Sequence, residues 1–292
     1  MNQRFVKLIE CPRDAMQGWK NFIPTEKKIE YINALLKVGF DTIDFGSFVS
    51  PKAIPQMADT KDVIHGVEPQ GSRTKLLAIV ANVRGAEEAS SFDKVACLGF
   101  PFSVSETFQQ RNTNSSINES WDRVEQIRNI CVQTSKQLII YISMGFGNPY
   151  NDPYSEEIVF GWVKKMADLG IKTISLADTV GLAKSSQVHA MTKYLIEELP
   201  GVEIGVHLHS RPDNWQQKLE AAVLAGCKRF DGALKGIGGC PMANDELVGN
   251  MNTEWMITYF EQKKLLPDLN KEHLSKSVAL AEKIFEHGDG DH

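Results

Sequence analysis

Residues 159–176, VFGWVKKMADLGIKTISL, join a helix pattern to a strand pattern. Their apolar residues Val159, Val163 and Met166 recur at the three-to-four-residue spacing of one helix face. Gly170 follows where a left-handed residue is expected to end the helix, and a short apolar and β-branched run begins at Thr173. The stretch therefore predicts a helix that leads directly into a buried strand.

The same order of helix, glycine and strand recurs along the chain, with Gly39 and Gly226 in equivalent places. Strand-like runs occupy residues 5–9, 42–48, 75–80, 94–104, 138–144, 173–176, 203–208 and 229–234. Alternating β and α units favour a parallel sheet, and eight of them at this chain length favour a closed (β/α)8 TIM barrel. An open doubly wound sheet is the alternative, but neither a GxGxxG nor a GxxxxGK[ST] phosphate loop joins a strand to a helix.

Two additional C-terminal helices are predicted after the eighth run, at 254–263 and 271–286. The sequence contains no linker or low-complexity tract between the barrel units. We therefore predict a single α/β catalytic domain over residues 1–292, with the barrel at about 4–252 and a helical extension at about 253–287.

The composition, 42% hydrophobic and 24% charged, is that of a globular protein with a sizeable core. A net charge of −5 without a long basic run gives nucleic acid or an anionic membrane surface no electrostatic reason to bind. The sequence has no apolar run long enough to span a bilayer, and its five cysteines are scattered without CxxC spacing. We therefore expect a cytoplasmic protein with reduced thiols that acts on a small molecule.

The run IGVHLHS, residues 204–210, alternates apolar side chains with Gly205, His207 and His209. In a strand both histidines share one face, and in a barrel that face is the lumen. A lone histidine there would more simply be a buried residue with ordinary hydrogen bonds. Two at strand spacing favour a metal site, because they offer two neutral nitrogen ligands.

Other polar residues follow the predicted strands. Arg13 and Asp14 lie in the turn after the first strand, although a solvated ion pair is the alternative. Asp44 lies in the second strand, and Asp178 at the end of the sixth either reaches the site or caps the next helix. The glycine-rich stretch GIGGCPMA carries Cys240, either as a mobile lid with a proton-transferring thiol or as a surface turn with an inert one.

Several long motifs occur in a fixed order between about residues 6 and 254: ECPRDAMQ, SFVSPKAIPQM, SETFQQRNTNSSINES, SMGFGNPY, SLADTVG, VHLH, GIGGCP and GNMNTE. With these motifs the chain resembles the 3-hydroxy-3-methylglutaryl-CoA lyases, which belong to a superfamily of metal-dependent barrel lyases and condensing enzymes. The resemblance implies cleavage of 3-hydroxy-3-methylglutaryl-CoA to acetyl-CoA and acetoacetate, a step of leucine degradation.

The resemblance also assigns residues. It implies a divalent metal, Mg²⁺ or Mn²⁺, held by Asp14, His207, His209 and Asn250, and no other cofactor. Catalytic roles fall to Arg13 (enolate stabilisation), Cys240 (proton transfer), Asp14 and His207, and a substrate contact to Asp44. Asp178 is expected to contact the substrate from its position at the end of the sixth strand. The expected partner is a small acyl-CoA substrate, and the expected assembly is a homo-oligomer, most simply a dimer.

Three departures from the family pattern bear on the substrate. Ser210 and Arg211 stand where the family has an Asp-Thr pair, Asp44 stands where it has a glutamate, and one extra residue lies between Cys240 and Asn250. Arg211 shares the strand parity of His209, so we predict that it reaches the acyl carboxylate. The departures leave two alternatives: a related metal-dependent aldolase or condensing enzyme for another hydroxy or oxo acid, and a barrel that binds without catalysis.

Overall fold

A closed barrel of eight parallel strands forms the centre of the protein, which is described by a computed structural model for residues 5–239 and 248–285. The strands follow one another in chain order, and β1 pairs with both β2 and β8 to close the ring. They are β1 (Lys7–Glu10), β2 (Thr42–Ser47), β3 (Lys75–Ile79), β4 (Val95–Ser103), β5 (Gln137–Ser143), β6 (Thr173–Ala177), β7 (Glu203–His207) and β8 (Arg229–Gly232). The TIM-barrel prediction is confirmed, every strand overlaps its predicted run, and the open-sheet alternative is wrong.

Helices surround the barrel on its outer face. They are α1 (Pro12–Gln17), α2 (Thr25–Leu35), α3 (Thr60–Gly66), α4 (Val83–Ser90), α5 (Glu106–Thr113), α6 (Ile117–Gln133), α7 (Glu156–Asp168), α8 (Ser185–Glu198), α9 (Trp215–Leu224), α10 (Thr253–Gln262) and α11 (Lys271–Phe285). The two additional C-terminal helices are thus confirmed as α10 and α11. Gly39, Gly170 and Gly226 have φ values of +99°, +92° and +92°, the left-handed conformation predicted for residues that end helices.

Strand alternation separates an apolar outer layer from a more polar lumen. In β7, Ile204 and Val206 are buried in the large core between the strands and the helices, and His207 has the opposite parity. The strand register pairs His207 with Asp231 of β8, so these two side chains share the luminal face. The lumen therefore carries the polar residues that can do chemistry.

None of the helices in the two described ranges is long and apolar enough to cross a membrane.

Glu10 ties the C-terminal extension to the first strand. Its buried carboxyl group accepts hydrogen bonds from Leu234 N at 2.8 Å and from Thr253 Oγ1 at 2.6 Å. These two residues flank the segment that leads from β8 to α10. Burial raises the pKa of Glu10 to about 8, although both hydrogen bonds act in the opposite direction.

Glu10 should make the stability of the fold depend on pH. Its folded pKa of about 8 lies above the ordinary value of 4.5, so the folded state holds a proton that the unfolded chain has lost. The contribution is complete below about pH 4.5 and is lost as pH rises towards 8, at about 1.4 kcal/mol per pH unit. Urea unfolding between pH 5 and 8 should show this slope reduced in Glu10→Gln and kept in the exposed control Glu261→Gln. Equal slopes in Glu10→Gln and the unsubstituted protein would contradict the assignment.

Candidate active site

A cavity of about 410 Å³ opens at the carboxyl end of the barrel. Its polar end is lined by Arg13, Asp14, Asp44, His207 and His209. The active sites of TIM-barrel enzymes lie at this end, because the loops that follow the strands converge there. The structure thus brings together five of the residues that the sequence singled out.

Arg13 and Asp14 lie in the first turn of α1, which begins at Pro12 immediately beyond β1. Proline suits the first helical position because its fixed φ matches the helix and its missing N–H is not needed there. The predicted turn is therefore the start of a short helix. One helical turn later, Gln17 Oε1 accepts a hydrogen bond from Arg13 Nη1 at 2.8 Å, and Gln17 Nε2 donates to Asp14 Oδ1 at 2.9 Å.

The Arg13 guanidinium is held between two carboxylates. Nε and Nη2 donate to Asp44 Oδ2 at 3.0 and 2.5 Å, while Nη1 donates to Asp14 Oδ1 at 2.9 Å. Burial raises the pKa of Asp44 to about 6, although the positive charge of Arg13 acts in the opposite direction. The pKa of Asp14 is lowered, because the charge of Arg13, the neighbouring His207 and the hydrogen bond from Asn250 together outweigh the effect of burial. Asp14 is therefore the more acidic of the two carboxyl groups.

His207 and His209 complete a group with Asp14. One ligand atom from each of the three residues lies within 4.8 Å of the others. Burial and the neighbouring charges of His207 and Lys218 lower the pKa of His209 to about 3, so its ring is neutral. A carboxylate with a neutral imidazole beside it offers one anionic and one nitrogen donor to a cation.

Backbone pairing of the segment 249–251 brings the Asn250 side chain to this group. Ser210 N donates to Gly249 O, and Met251 N donates to Leu208 O, both at 3.0 Å, so the segment pairs with the end of β7. The Asn250 side chain then donates from Nδ2 to Asp14 Oδ2 at 2.7 Å. The structure therefore places Asn250 beside Asp14 and His209 despite the altered loop length.

Gly238 permits this approach of Asn250. A Cβ atom at residue 238 would lie 2.5 Å from Asn250 Nδ2 and 2.9 Å from Asp14 O, and φ is +105°. Only glycine combines that conformation with so close a contact. This glycine of the predicted loop thus has a packing role at the site.

The residues present fit a divalent metal. The buried atoms His209 Nδ1 and Asn250 Oδ1 have no hydrogen-bond partner within the described part of the chain. Buried polar atoms are normally satisfied, and these two unsatisfied acceptors lie beside the Asp14 carboxylate, so together they form a donor set that suits a cation. A second group, formed by Cys11, His207 and Asp231, is also compact. Burial and nearby carboxylates raise the pKa of the Cys11 thiol well above its usual range.

Asp178 forms a buried ion pair beside the site. Its Oδ2 accepts from the buried Lys218 Nζ at 2.6 Å and its Oδ1 from Ala183 N at 2.9 Å, and it does not line the cavity. Lys218 also donates to the backbone carbonyls of His209 at 2.9 Å and Gly181 at 3.0 Å. The pair therefore fixes the backbone of His209 from behind, and Asp178 neither faces the cavity nor caps α8.

Removing the Lys218 charge should destabilise the fold strongly. Lys218→Met leaves the Asp178 carboxylate buried without its cation, which should lower the free energy of unfolding by about 3–5 kcal/mol. Urea denaturation measures this loss, and the double variant with Asp178→Asn should recover part of it. Lys164→Met, which breaks the exposed pair with Asp168, is the control and should change little. Similar stabilities for Lys218→Met and the control would contradict the role of this pair.

Arg211 does not line the cavity. Strand β7 ends at His207, so the strand parity that linked Arg211 to His209 does not extend to Arg211. Arg211 is exposed in the segment before α9 and does not line the cavity. Cys240 lies outside the described residues. The contact of Arg211 with the substrate therefore remains a prediction without support from the geometry.

Three residues that contribute to the site escaped the sequence analysis: Gln17, Lys218 and Asp231. Gln17 follows Arg13 by four residues, the spacing of neighbours on a helix face. Lys218 lies on the buried face of α9 beside Leu219 and Ala222, where a lysine is rare unless paired. Asp231 alternates with the apolar Phe230 in β8. Each of these residues could have been noticed from its position in the sequence. The sequence did not show which residue each one contacts.

Comparison with known proteins gives the family. The HMGL-like family model matches residues 6–280. The chain belongs to the HMGL-like family. It is 33% identical over 264 residues to the hydroxymethylglutaryl-CoA lyase of Bacillus subtilis, covering 90% of this chain and 87% of that protein. It is 34% identical over 258 residues to the mitochondrial hydroxymethylglutaryl-CoA lyase of mouse, covering 86% and 77%.

A solved structure within the HMGL-like family has the same architecture. The HMG-CoA lyase of Acinetobacter baumannii, in complex with coenzyme A and 3-methylmalate, superposes with a TM-score of 0.91 at 29% identity. The match covers 100% of this chain and 95% of the other. The family therefore extends over the barrel and the C-terminal helices together.

Proposed function

We propose that this protein is a hydroxymethylglutaryl-CoA lyase that cleaves 3-hydroxy-3-methylglutaryl-CoA to acetyl-CoA and acetoacetate. The observation that carries the proposal is the meeting of Arg13, Asp14 and His207 at the inner end of one cavity. It is supported by relatives named for this activity and by a similar structure that binds coenzyme A with a small hydroxy acid. The aldolase or condensing-enzyme alternative is not favoured, because these relatives are lyases.

The metal of this reaction would be held by Asp14, His207, His209 and Asn250. Three of these residues form the compact group described above, and Asn250 adds an amide oxygen without a hydrogen-bond partner in the described ranges. Carboxylate and amide oxygens suit Mg²⁺ or Mn²⁺, the ions that the family resemblance implies, whereas imidazole by itself would suit zinc or iron. When bound, the ion supplies Lewis acidity that lowers the pKa of the substrate hydroxyl.

Arg13 is suited to stabilise the enolate. Of its five N–H groups, Nε uses one on Asp44, Nη1 uses two on Asp14 and Gln17, and Nη2 uses one on Asp44. Within the described residues this leaves one Nη2 N–H for the thioester oxygen. As the C3 hydroxyl gives up its proton to water, its oxygen becomes the ketone of acetoacetate and the bond between C2 and C3 breaks. The electron pair of that bond moves to the thioester oxygen, and acetoacetate departs. A preorganised donor at such an oxyanion contributes about 3 kcal/mol.

The enolate must then take up a proton at C2 to give acetyl-CoA. We assign this step to Cys240 on the strength of the motif GIGGCP. The two carboxylates around Arg13 have separate tasks in this scheme. Asp14 binds the cation, whereas Asp44 fixes the orientation of the guanidinium towards the substrate.

The outer part of the cavity would receive the coenzyme A portion of the substrate. Arg111 lines this part and stacks on Tyr150, with Cζ 4.6 Å from the ring centroid. A stacked guanidinium keeps its positive charge available to phosphate oxygens. A single catalytic domain, a homodimer and a cytoplasmic location complete the proposal. The location rests on the scattered cysteines and on relatives named as cytoplasmic forms.

The test is direct. Purified protein is incubated with 3-hydroxy-3-methylglutaryl-CoA and Mg²⁺ or Mn²⁺, and acetoacetate and acetyl-CoA are measured. We expect equal amounts of both products and loss of turnover after chelation of the metal. Absence of acetoacetate with either ion would overturn the proposed function.

A further inference from the structure

Asp231 lies on the luminal face of β8, directly beside His207. The strand register pairs the two residues, and Asp231 Oδ2 is 3.4 Å from His207 Nδ1, slightly longer than the usual N–H···O distance of about 2.7–3.2 Å. The Asp231 side chain is fully buried, whereas that of His207 is 12% exposed. His207 lines the cavity, and Asp231 does not. Asp231 therefore contacts the histidine from below, on the side away from the substrate.

Arg229 keeps the charge of Asp231 compatible with burial. It lies two residues earlier on the same strand face and is 2% exposed. Its Nε and Nη2 atoms, like Asp231 Oδ1, have no hydrogen-bond partner within residues 5–239 and 248–285. The nearest acid paired with it is Asp41, at 3.8 Å from Nη1. The Arg229 guanidinium therefore balances the charge of the Asp231 carboxylate. It does not compete with His207 for Asp231 Oδ2.

We infer that Asp231 is a positioning residue that holds the proton of His207 on Nδ1 and so leaves the lone pair of Nε2 for the metal. Metal-ligating histidines commonly donate their second ring N–H to a carboxylate, which fixes the tautomer and the ring orientation. The inference rests on the proposed function, since it assumes that His207 binds the metal. It adds a residue that neither the motifs nor the cavity lining identify.

A competing arrangement makes Asp231 itself a ligand, because Cys11, His207 and Asp231 also form a compact group. Neither Cys11 nor Asp231 lines the cavity, while Asp14, His207 and His209 all do. An ion that assists the substrate must be reachable from the cavity. The geometry therefore places the ion on the Asp14 side of His207 and leaves Asp231 behind the ring.

The first experiment measures Mn²⁺ binding to the full chain without substrate, by calorimetry and by electron paramagnetic resonance. Asp231→Asn should weaken binding by about 10- to 100-fold, because the amide can donate to Nδ1 and stabilise the wrong tautomer. Asp41→Asn, which also removes a carboxylate facing Arg229 but leaves His207 untouched, should bind as the unsubstituted protein does. Equal affinities for Asp231→Asn and Asp41→Asn would overturn the inference.

A Cys11→Ser variant separates the two arrangements. Unchanged Mn²⁺ affinity supports the inference, whereas a loss as large as that of Asp231→Asn would mark the Cys11 group as the metal site and overturn it. If the unsubstituted protein turns over substrate with metal but Asp231→Asn binds normally, only the inference fails. If the unsubstituted protein binds no Mn²⁺ at all, it is the metal site of the proposed function that fails.

A second experiment does not depend on the Asp231 variant. Long-range proton–nitrogen spectra of the metal-free protein at alkaline pH, where the ring is neutral, report the tautomer of His207. The signal is assigned by its absence in His207→Gln. We expect the proton on Nδ1, and a proton on Nε2 would overturn the inference whether or not the Asp231 variant folds.

Discussion

Arg13→Met is expected to lower kcat for cleavage of 3-hydroxy-3-methylglutaryl-CoA by about 10²- to 10³-fold. The methionine fills much of the same volume but offers no N–H to the thioester oxygen, so the developing enolate loses its charge partner. Asp44 and Asp14 also lose their common cation. Because a bound divalent ion can still balance Asp14, Mn²⁺ affinity should change by less than the rate does. Steady-state kinetics with saturating metal and a Mn²⁺ titration measure the two effects separately.

Arg13→Lys provides the matched control for charge. Lysine keeps the cation between the two carboxylates and should preserve most of the stability measured by thermal unfolding. It cannot bond both Asp14 and Asp44 through a rigid fork and still donate to the substrate. Its kcat should therefore remain well below that of the unsubstituted protein. Full activity in either variant would remove Arg13 from the catalytic step.

Asp14→Asn is expected to weaken Mn²⁺ binding by more than about 100-fold. That value is the upper end of the loss expected when only a residue hydrogen-bonded to a metal ligand is removed. The carboxylate is the one anionic donor in the group with His207, His209 and Asn250. The amide has nearly the same shape, so a change in binding reports the lost charge rather than altered packing. Metal content after dialysis and a calorimetric titration measure the effect, and turnover should fall in parallel.

Asp152→Asn is a suitable control for this variant. Asp152 is held by Ser105 and Thr107 at the start of α5, outside the metal group. It should bind Mn²⁺ as the unsubstituted protein does. His207→Ala should lose the metal like Asp14→Asn. Retention of stoichiometric metal by Asp14→Asn and His207→Ala would exclude this group as the metal site.

The barrel could be predicted because its signals are local. Helix and strand periodicities, and the glycines at 39, 170 and 226, depend on backbone conformations within a few residues. The placement of His207 opposite the apolar Val206 follows from the same two-residue period. Once parallel strands are inferred, their carboxyl ends must meet, so Asp14 and His207 were predicted to lie near each other.

The sequence by itself thus determined the strands, the helices, the face on which His207 and His209 lie, and the end of the barrel that carries the polar residues. Only the tertiary structure decided which partners those residues meet. The pairing of 249–251 with the end of β7 brings Asn250 to Asp14, Lys218 takes up Asp178, and the end of β7 at His207 leaves Arg211 outside the cavity. Such contacts join segments far apart in the chain. They depend on strand register and on packing between layers, and local periodicity carries no information about either.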